Sequence, residues 1–182
     1  MFRSFSLLLF RLIGWKVEDH RPRDLGQCIY VVAPHTSNLD FVLGVFARSI
    51  ARLSHVNFLG KSSLFKPPFG WIFRSLGGPP VDRSKNNNLV PQAVEYFRTV
   101  PTFSLAITPE GTRRKVARWR TGFYHIAHQA SVPLVLTAFD YPTRRVIFHA
   151  PIRTTGNMDQ DIADMQAVFR QFKGKHPENG VV

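Results

Sequence analysis

The order of short apolar runs and longer amphipathic segments predicts a single α/β domain: a central, mostly parallel or mixed β-sheet flanked by helices, with an amphipathic helix at the N-terminus. Three observations carry this. The apolar runs are short, continuous and β-branched, as expected of strands covered on both faces. They alternate with segments whose apolar residues recur at helical spacing. The chain has 182 residues, 44% of them hydrophobic, enough for one core and short for two.

In chain order, Phe2, Phe5, Leu9, Leu12 and Ile13 lie at helical spacing among Arg3, Arg11 and Lys16. Residues 1–17 are therefore expected as an amphipathic helix. It lies either in a membrane interface or docked on the domain's own core. No segment reaches the ~20 apolar residues of a spanning helix. The charged run Glu18-Asp19-His20-Arg21 follows where a signal peptide would carry small residues.

Residues 18–172 are expected to form the domain proper. Cys28–Ala33 reads as a buried strand, Leu39–Leu53 as a helix and Val56–Leu59 as a second strand. Pro67–Leu76 reads as a short helix stopped by Gly77-Gly78. Leu89–Arg98 and Arg120–Gln129 read as helices, with the strand Phe103–Thr108 between them. Val132–Phe139 and Arg145–Ala150 read as strands joined through Tyr141-Pro142-Thr143, and Asp159–Phe172 as a closing helix. Lys173–Val182 is polar, contains Gly and Pro, and is expected as a loose tail.

Charge narrows the partners. Twenty-four Lys and Arg against 12 Asp and Glu leave a net +12, which attracts polyanions. Nucleic acid, an anionic membrane surface and a phosphate-bearing substrate all qualify. The lone cysteine, Cys28, excludes an internal disulfide and sits in an apolar run as a small buried hydrophobe. The seven histidines and one cysteine lack metal-ligand spacing, so no metal is expected. A Walker loop, a dinucleotide fingerprint and a nucleophile elbow are all missing from the sequence.

Three constellations carry chemistry. The first strand of the domain runs into Pro34-His35-Thr36-Ser37-Asn38-Leu39-Asp40, and sites gather where strands of α/β sheets end. With Ser37 as helix cap, Asp40 falls at the third helical position, where it can face His35. The carboxylate would then orient one ring nitrogen and leave the other to take a proton. Ser37-x-x-Asp40 also resembles a capping box, which needs no catalytic role. The second constellation, Gly77-Gly78-Pro79-Pro80-Val81-Asp82-Arg83, is a rigid loop ending in an arginine fork suited to phosphate, with Lys61 as a second cation. In the third, Pro109-Glu110-Gly111-Thr112-Arg113, Gly111 allows a tight turn, and the Thr112 hydroxyl and Arg113 guanidinium suit an oxyanion. Arg114, Lys115, Arg118 and Arg120 with Trp119 extend it as a mixed cationic and aromatic surface. A solvated basic loop is the alternative reading of each of the last two.

Together these blocks resemble the glycerophospholipid acyltransferase family, of the lysophosphatidic-acid acyltransferase type. His35 and Asp40 match its His-x4-Asp block; Gly78, Val81, Asp82 and Arg83 match the second; Pro109–Arg113 matches the third without change. Val132-Pro133-Leu134-Val135 matches the last. Pro34 and Leu136 depart from the family's frequent Asn and Pro. The resemblance implies His35 as general base and Asp40 as its partner. It implies Arg83, Glu110, Gly111, Thr112 and Arg113 around the acceptor's phosphate, and the Val132–Leu136 strand beside the acyl chain. It further implies direct transfer from acyl-CoA or acyl carrier protein to a lysophospholipid, with no cofactor, at the cytoplasmic face of a membrane. A lyso-amino-acid lipid or lyso-cardiolipin acceptor fits the same chemistry. A basic nucleic-acid-binding module is the reading from another class, and no nucleic acid is expected under the resemblance.

Overall fold

The fold comes from a computed structural model and is described for residues 1–58 and 89–182. The expected helix Pro67–Leu76, the Gly77–Arg83 loop and Lys61 lie outside the described residues. Six strands form one mixed sheet: β1 (Lys16–Asp19), β2 (Ile29–Ala33), β3 (Val56–Phe58), β4 (Ser104–Ile107), β5 (Leu134–Asp140) and β6 (Arg145–Phe148). Their order across the sheet is β1-β6-β5-β2-β4-β3. All neighbours are parallel except β5 and β6, which form an antiparallel hairpin.

The helices are α1 (Phe2–Leu12), α2 (Asn38–Ile50), α3 (Leu89–Thr99), α4 (Gly122–Ala130) and α5 (Met158–Phe169). Side chains alternate across β2 and β5, so the sheet has two covered faces. Ile29, Val31, Leu134 and Leu136 pack with Phe97 of α3, Phe123 and Ile126 of α4, and Met165 and Phe169 of α5. Cys28, Tyr30, Val135 and Phe139 pack on the other face with Phe10 of α1 and Leu43 and Ala47 of α2. Every residue of β5 is buried, which is why the run read as continuous apolar sequence. Cys28 is fully buried, as a small hydrophobe.

Two sequence expectations are corrected at the ends. The N-terminal helix stops at Leu12, and Lys16–Asp19 form an edge strand on β6 instead of continuing it. A strand with three charged residues in four carries no apolar signature. It is tolerated because an edge strand leaves one side to solvent, and Glu18 meets Arg145 of β6 at 3.2 Å. The C-terminal segment is not loose. The Lys173 carbonyl accepts from Tyr141 N–H at 3.0 Å, His176 N–H donates to Thr36 Oγ1 at 3.2 Å, and Lys115 N–H donates to Asn179 Oδ1 at 3.3 Å.

α1 docks on the domain through one face and leaves other apolar residues exposed. Phe10 and Ser6 are buried against the domain, and Phe2 stacks on Phe46 of α2 at 5.8 Å. Phe5, Leu8 and Leu12 remain exposed, Leu12 at 74%. No helix among the described residues is long and apolar enough to cross a membrane.

Candidate active site

Three parallel strands deliver the site. Val31 of β2 pairs with Ile107 of β4 on one side and Leu136 of β5 on the other. The chains run on from this row in the same direction. His35 therefore emerges four residues past Val31, Glu110 three past Ile107, and Tyr141 five past Leu136, all at one edge of the sheet.

Asp40 stands in the first turn of α2, which Ser37 caps by accepting from Leu39 N–H. Its carboxylate is nearly inaccessible, 2% exposed. Oδ2 accepts from the N–H groups of Thr36 and Ser37, both at 2.8 Å, and lies 3.2 Å from His35 Nδ1. Oδ1 accepts from the Tyr141 hydroxyl at 2.6 Å. The capping box and the His–Asp pair are thus one arrangement. The carboxylate that closes the box folds the loop so that His35 meets it. The His35 ring keeps partial access to solvent, at 21%.

Glu110 holds the other side of the loop. Its Oε2 accepts from His35 N–H at 2.8 Å, and its Oε1 is buried without a hydrogen-bond partner among the described residues. Burial pushes this carboxyl up to about 8; neighbouring Asp40 pushes the same way, and the His35 N–H pulls back. Gly111 follows with φ +65°, where a Cβ would come within 2.7 Å of Arg120 Nε. Only glycine fits that turn without strain. Arg120 N–H in turn donates to the Pro109 carbonyl at 2.8 Å. Thr112 and Arg113 are exposed, and Thr112 Oγ1 accepts from Arg114 N–H at 3.4 Å.

The structure therefore brings together His35, Asp40 and Glu110, with Gly111, Thr112 and Arg113 on the adjoining turn. Trp119 does not join this surface: it is buried against Phe123 and Phe169, with ring centroids 6.3 and 5.7 Å away. Val132, Leu134, Val135 and Leu136 are buried in the core, so among the described residues that strand offers no exposed wall for an acyl chain. The apolar space beside the site lies elsewhere. A pocket of about 270 Å³ between α1 and α2 is lined by Leu9, Ile13, Trp15, Val42, Phe46 and Tyr141, among others.

Tyr141 escaped the sequence reading because Tyr-Pro-Thr scores as a turn. Its signal was positional: it lies just past the end of a strand parallel to the one that ends before His35. Thr36 and the Lys173–His176 segment carried no signal, because their contact joins residues 140 apart.

Comparisons with known proteins bear on the family and the fold. A model of the Acyltransferase family matches residues 15–139. Among solved structures, the chain is similar to the 1-acyl-sn-glycerophosphate (LPA) acyltransferase PlsC from Thermotoga maritima, with a TM-score of 0.64 at 21% identity. The match covers 92% of this chain and 74% of that one. No curated protein matches.

Proposed function

The chain belongs to the Acyltransferase family, and from that premise we propose that it moves a fatty acyl group from acyl-CoA or acyl carrier protein to a hydroxyl of a lysophospholipid, 1-acyl-glycerol 3-phosphate. The observation that carries this reading is the His35–Asp40 pair. A partly exposed imidazole sits 3.2 Å from a buried, multiply hydrogen-bonded carboxylate. With Nδ1 turned to Asp40, Nε2 is the nitrogen left to take a proton from the acceptor hydroxyl. The hydroxyl oxygen then bonds to the thioester carbon, and the tetrahedral intermediate collapses by breaking the carbon–sulfur bond. His35 returns its proton to the leaving thiolate. No side chain is acylated: among the described residues, Ser37 is buried as the helix cap and Cys28 is sealed in the core.

Arg113 and Thr112, exposed beside Glu110, are the described groups suited to the acceptor's phosphate. Arg83 and Lys61 are assigned to the same phosphate by the sequence alone. Glu110 serves the site by holding His35 through its backbone, which differs from a direct hold on substrate. The pocket between α1 and α2 is the apolar space we assign to a lipid chain. The exposed Phe5, Leu8 and Leu12 of α1, with Phe41 and Val42 of α2, support contact with a membrane surface, and the net charge of +12 favours an anionic one. This reading puts the chain at the cytoplasmic face of that membrane.

The test is thiol release from palmitoyl-CoA with a panel of lysolipid acceptors. The wild type should turn over with 1-acyl-glycerol 3-phosphate. His35→Ala should lower kcat by about 10²–10⁴-fold, the usual worth of general-base help. Full activity in the variant would remove His35 from the mechanism.

A further inference from the structure

We infer that Tyr141 is a positioning residue for the catalytic pair, holding the free oxygen of Asp40 so that the carboxylate presents its other oxygen to His35. The inference rests on the His35–Asp40 reading above and adds a residue that none of the four sequence blocks contains. Tyr141 also lies just beyond the stretch that the family model matches.

The geometry is specific. Asp40 Oδ2 is occupied by Thr36 N–H, Ser37 N–H and His35 Nδ1. Oδ1 faces away from these, in a side chain 1% exposed, and the Tyr141 hydroxyl at 2.6 Å is its hydrogen-bond donor. A carboxylate anchored on one oxygen alone can swing about its Cβ–Cγ bond, and Tyr141 removes that freedom.

Tyr141 is itself fixed at both ends. Its backbone N–H donates to the Lys173 carbonyl at 3.0 Å, and its ring packs edge-on against Trp15 with centroids 5.0 Å apart. Neither contact uses the hydroxyl, so the phenol oxygen is free to serve Asp40. Glu110 faces the His35–Asp40 pair from across the loop, its Oε2 accepting from His35 N–H, and is left intact in the variants below. The charged neighbours of Tyr141 are engaged elsewhere. Asp140, on the same turn, turns its carboxylate to Thr143, Arg145 and Lys173 N–H. Arg144 directs its guanidinium to the Ile13 carbonyl at 3.2 Å.

The direction of the effect follows from charge. A hydroxyl donating to Oδ1 draws negative charge from the carboxylate and weakens its hold on a protonated His35. Losing that donor concentrates the charge, so the imidazolium is favoured and His35 gives up its proton only at higher pH. Orientation is lost as well, which lowers kcat more than KM, because the carboxylate touches neither substrate.

The experiment is a double-mutant cycle with Tyr141→Phe and Asp40→Asn, read as kcat, KM and the pH profile with palmitoyl-CoA and 1-oleoyl-glycerol 3-phosphate. Tyr141→Phe should lower kcat about tenfold, part of the ~10²–10⁴-fold worth of the base. It should change either KM by less than about threefold and move the acid limb of kcat/KM to higher pH. In the Asp40→Asn background the same substitution should change kcat by less than about twofold, since the partner it acts through is gone. Site-specific 3,5-difluorotyrosine at position 141, a stronger donor that preserves the ring, should move the acid limb to lower pH. It keeps the test decisive if the Phe variant folds poorly. An unchanged pH profile in both variants, or an effect of Tyr141→Phe that persists undiminished beside Asp40→Asn, would overturn the inference. A fully active Asp40→Asn enzyme would instead overturn the His–Asp reading on which it stands.

Discussion

At the scale of single residues, the site is governed by two buried carboxylates with opposite circumstances. Asp40 is surrounded by donors: the N–H groups of Thr36 and Ser37 and the Tyr141 hydroxyl. Among the described residues Glu110 has one donor and one oxygen without a partner, and burial raises its pKa to about 8. Below pH 4.5 both folded and unfolded chains carry its proton. Between 4.5 and about 8 the unfolded chain has lost it while the folded chain keeps it, so folding stability falls as pH rises across that window. Thermal melts from pH 5 to 8 should show this decline, and Glu110→Gln should flatten it, because the amide does not titrate. The same variant keeps an oxygen for His35 N–H. It is therefore expected to retain more kcat than Glu110→Ala without raising the acceptor's KM. A large rise in that KM alone would return Glu110 to the substrate. The partner of this acid, set beside a run of arginines in the sequence, is a backbone amide 75 residues earlier.

At the scale of elements, the segment Lys173–His176 braces the His35 loop. Gly174 passes so close to Thr36 that a Cβ would meet Oγ1 at 2.5 Å, Cγ2 at 2.9 Å and Cβ at 3.3 Å. Rotating the Thr36 side chain cannot relieve all three contacts. Gly174→Ala should destabilise the fold by about 1–3 kcal/mol, a fall in Tm of roughly 3–10 °C for a chain of this size. It should also lower kcat, since Thr36 follows His35. An unchanged melt would show that the segment yields freely. α1 invites a different test. Phe10 and Trp15 are integral to packing, so deleting the N-terminus would damage the domain. Leu8→Glu and Leu12→Glu change exposed positions instead, at 56% and 74% exposure. Both should leave Tm within about 2 °C, as surface changes usually do. Both should reduce flotation with vesicles; equal flotation would place membrane contact elsewhere.

At the scale of the whole molecule, the net charge of +12 and the apolar face of α1 and α2 act together. Binding to vesicles containing phosphatidylserine should exceed binding to neutral ones and weaken as salt rises from 50 to 500 mM, while the apolar contribution persists. Co-sedimentation across that range measures both parts. Salt-insensitive binding would assign the attachment to the apolar face alone.

The architecture was legible because its determinants are local. β2 and β5 are continuous apolar runs, the amphipathic periods of α2 and α5 are clear, and Ser37 with Asp40 forms a capping signal within four residues. The His–Asp spacing was legible for the same reason: both partners lie on one short turn. Tertiary structure decided the rest. It made Lys16–Asp19 an edge strand, buried Trp119, closed the β5 strand to an acyl chain, and brought Glu110, Tyr141 and Gly174 to the His35 loop. Those contacts depend on the register of three parallel strands and on a chain end returning across the sheet. Hydrophobic period carries no information about which strand ends will be neighbours, and a hydrogen bond between residues 101 apart, such as Tyr141 to Asp40, leaves no mark in either local sequence.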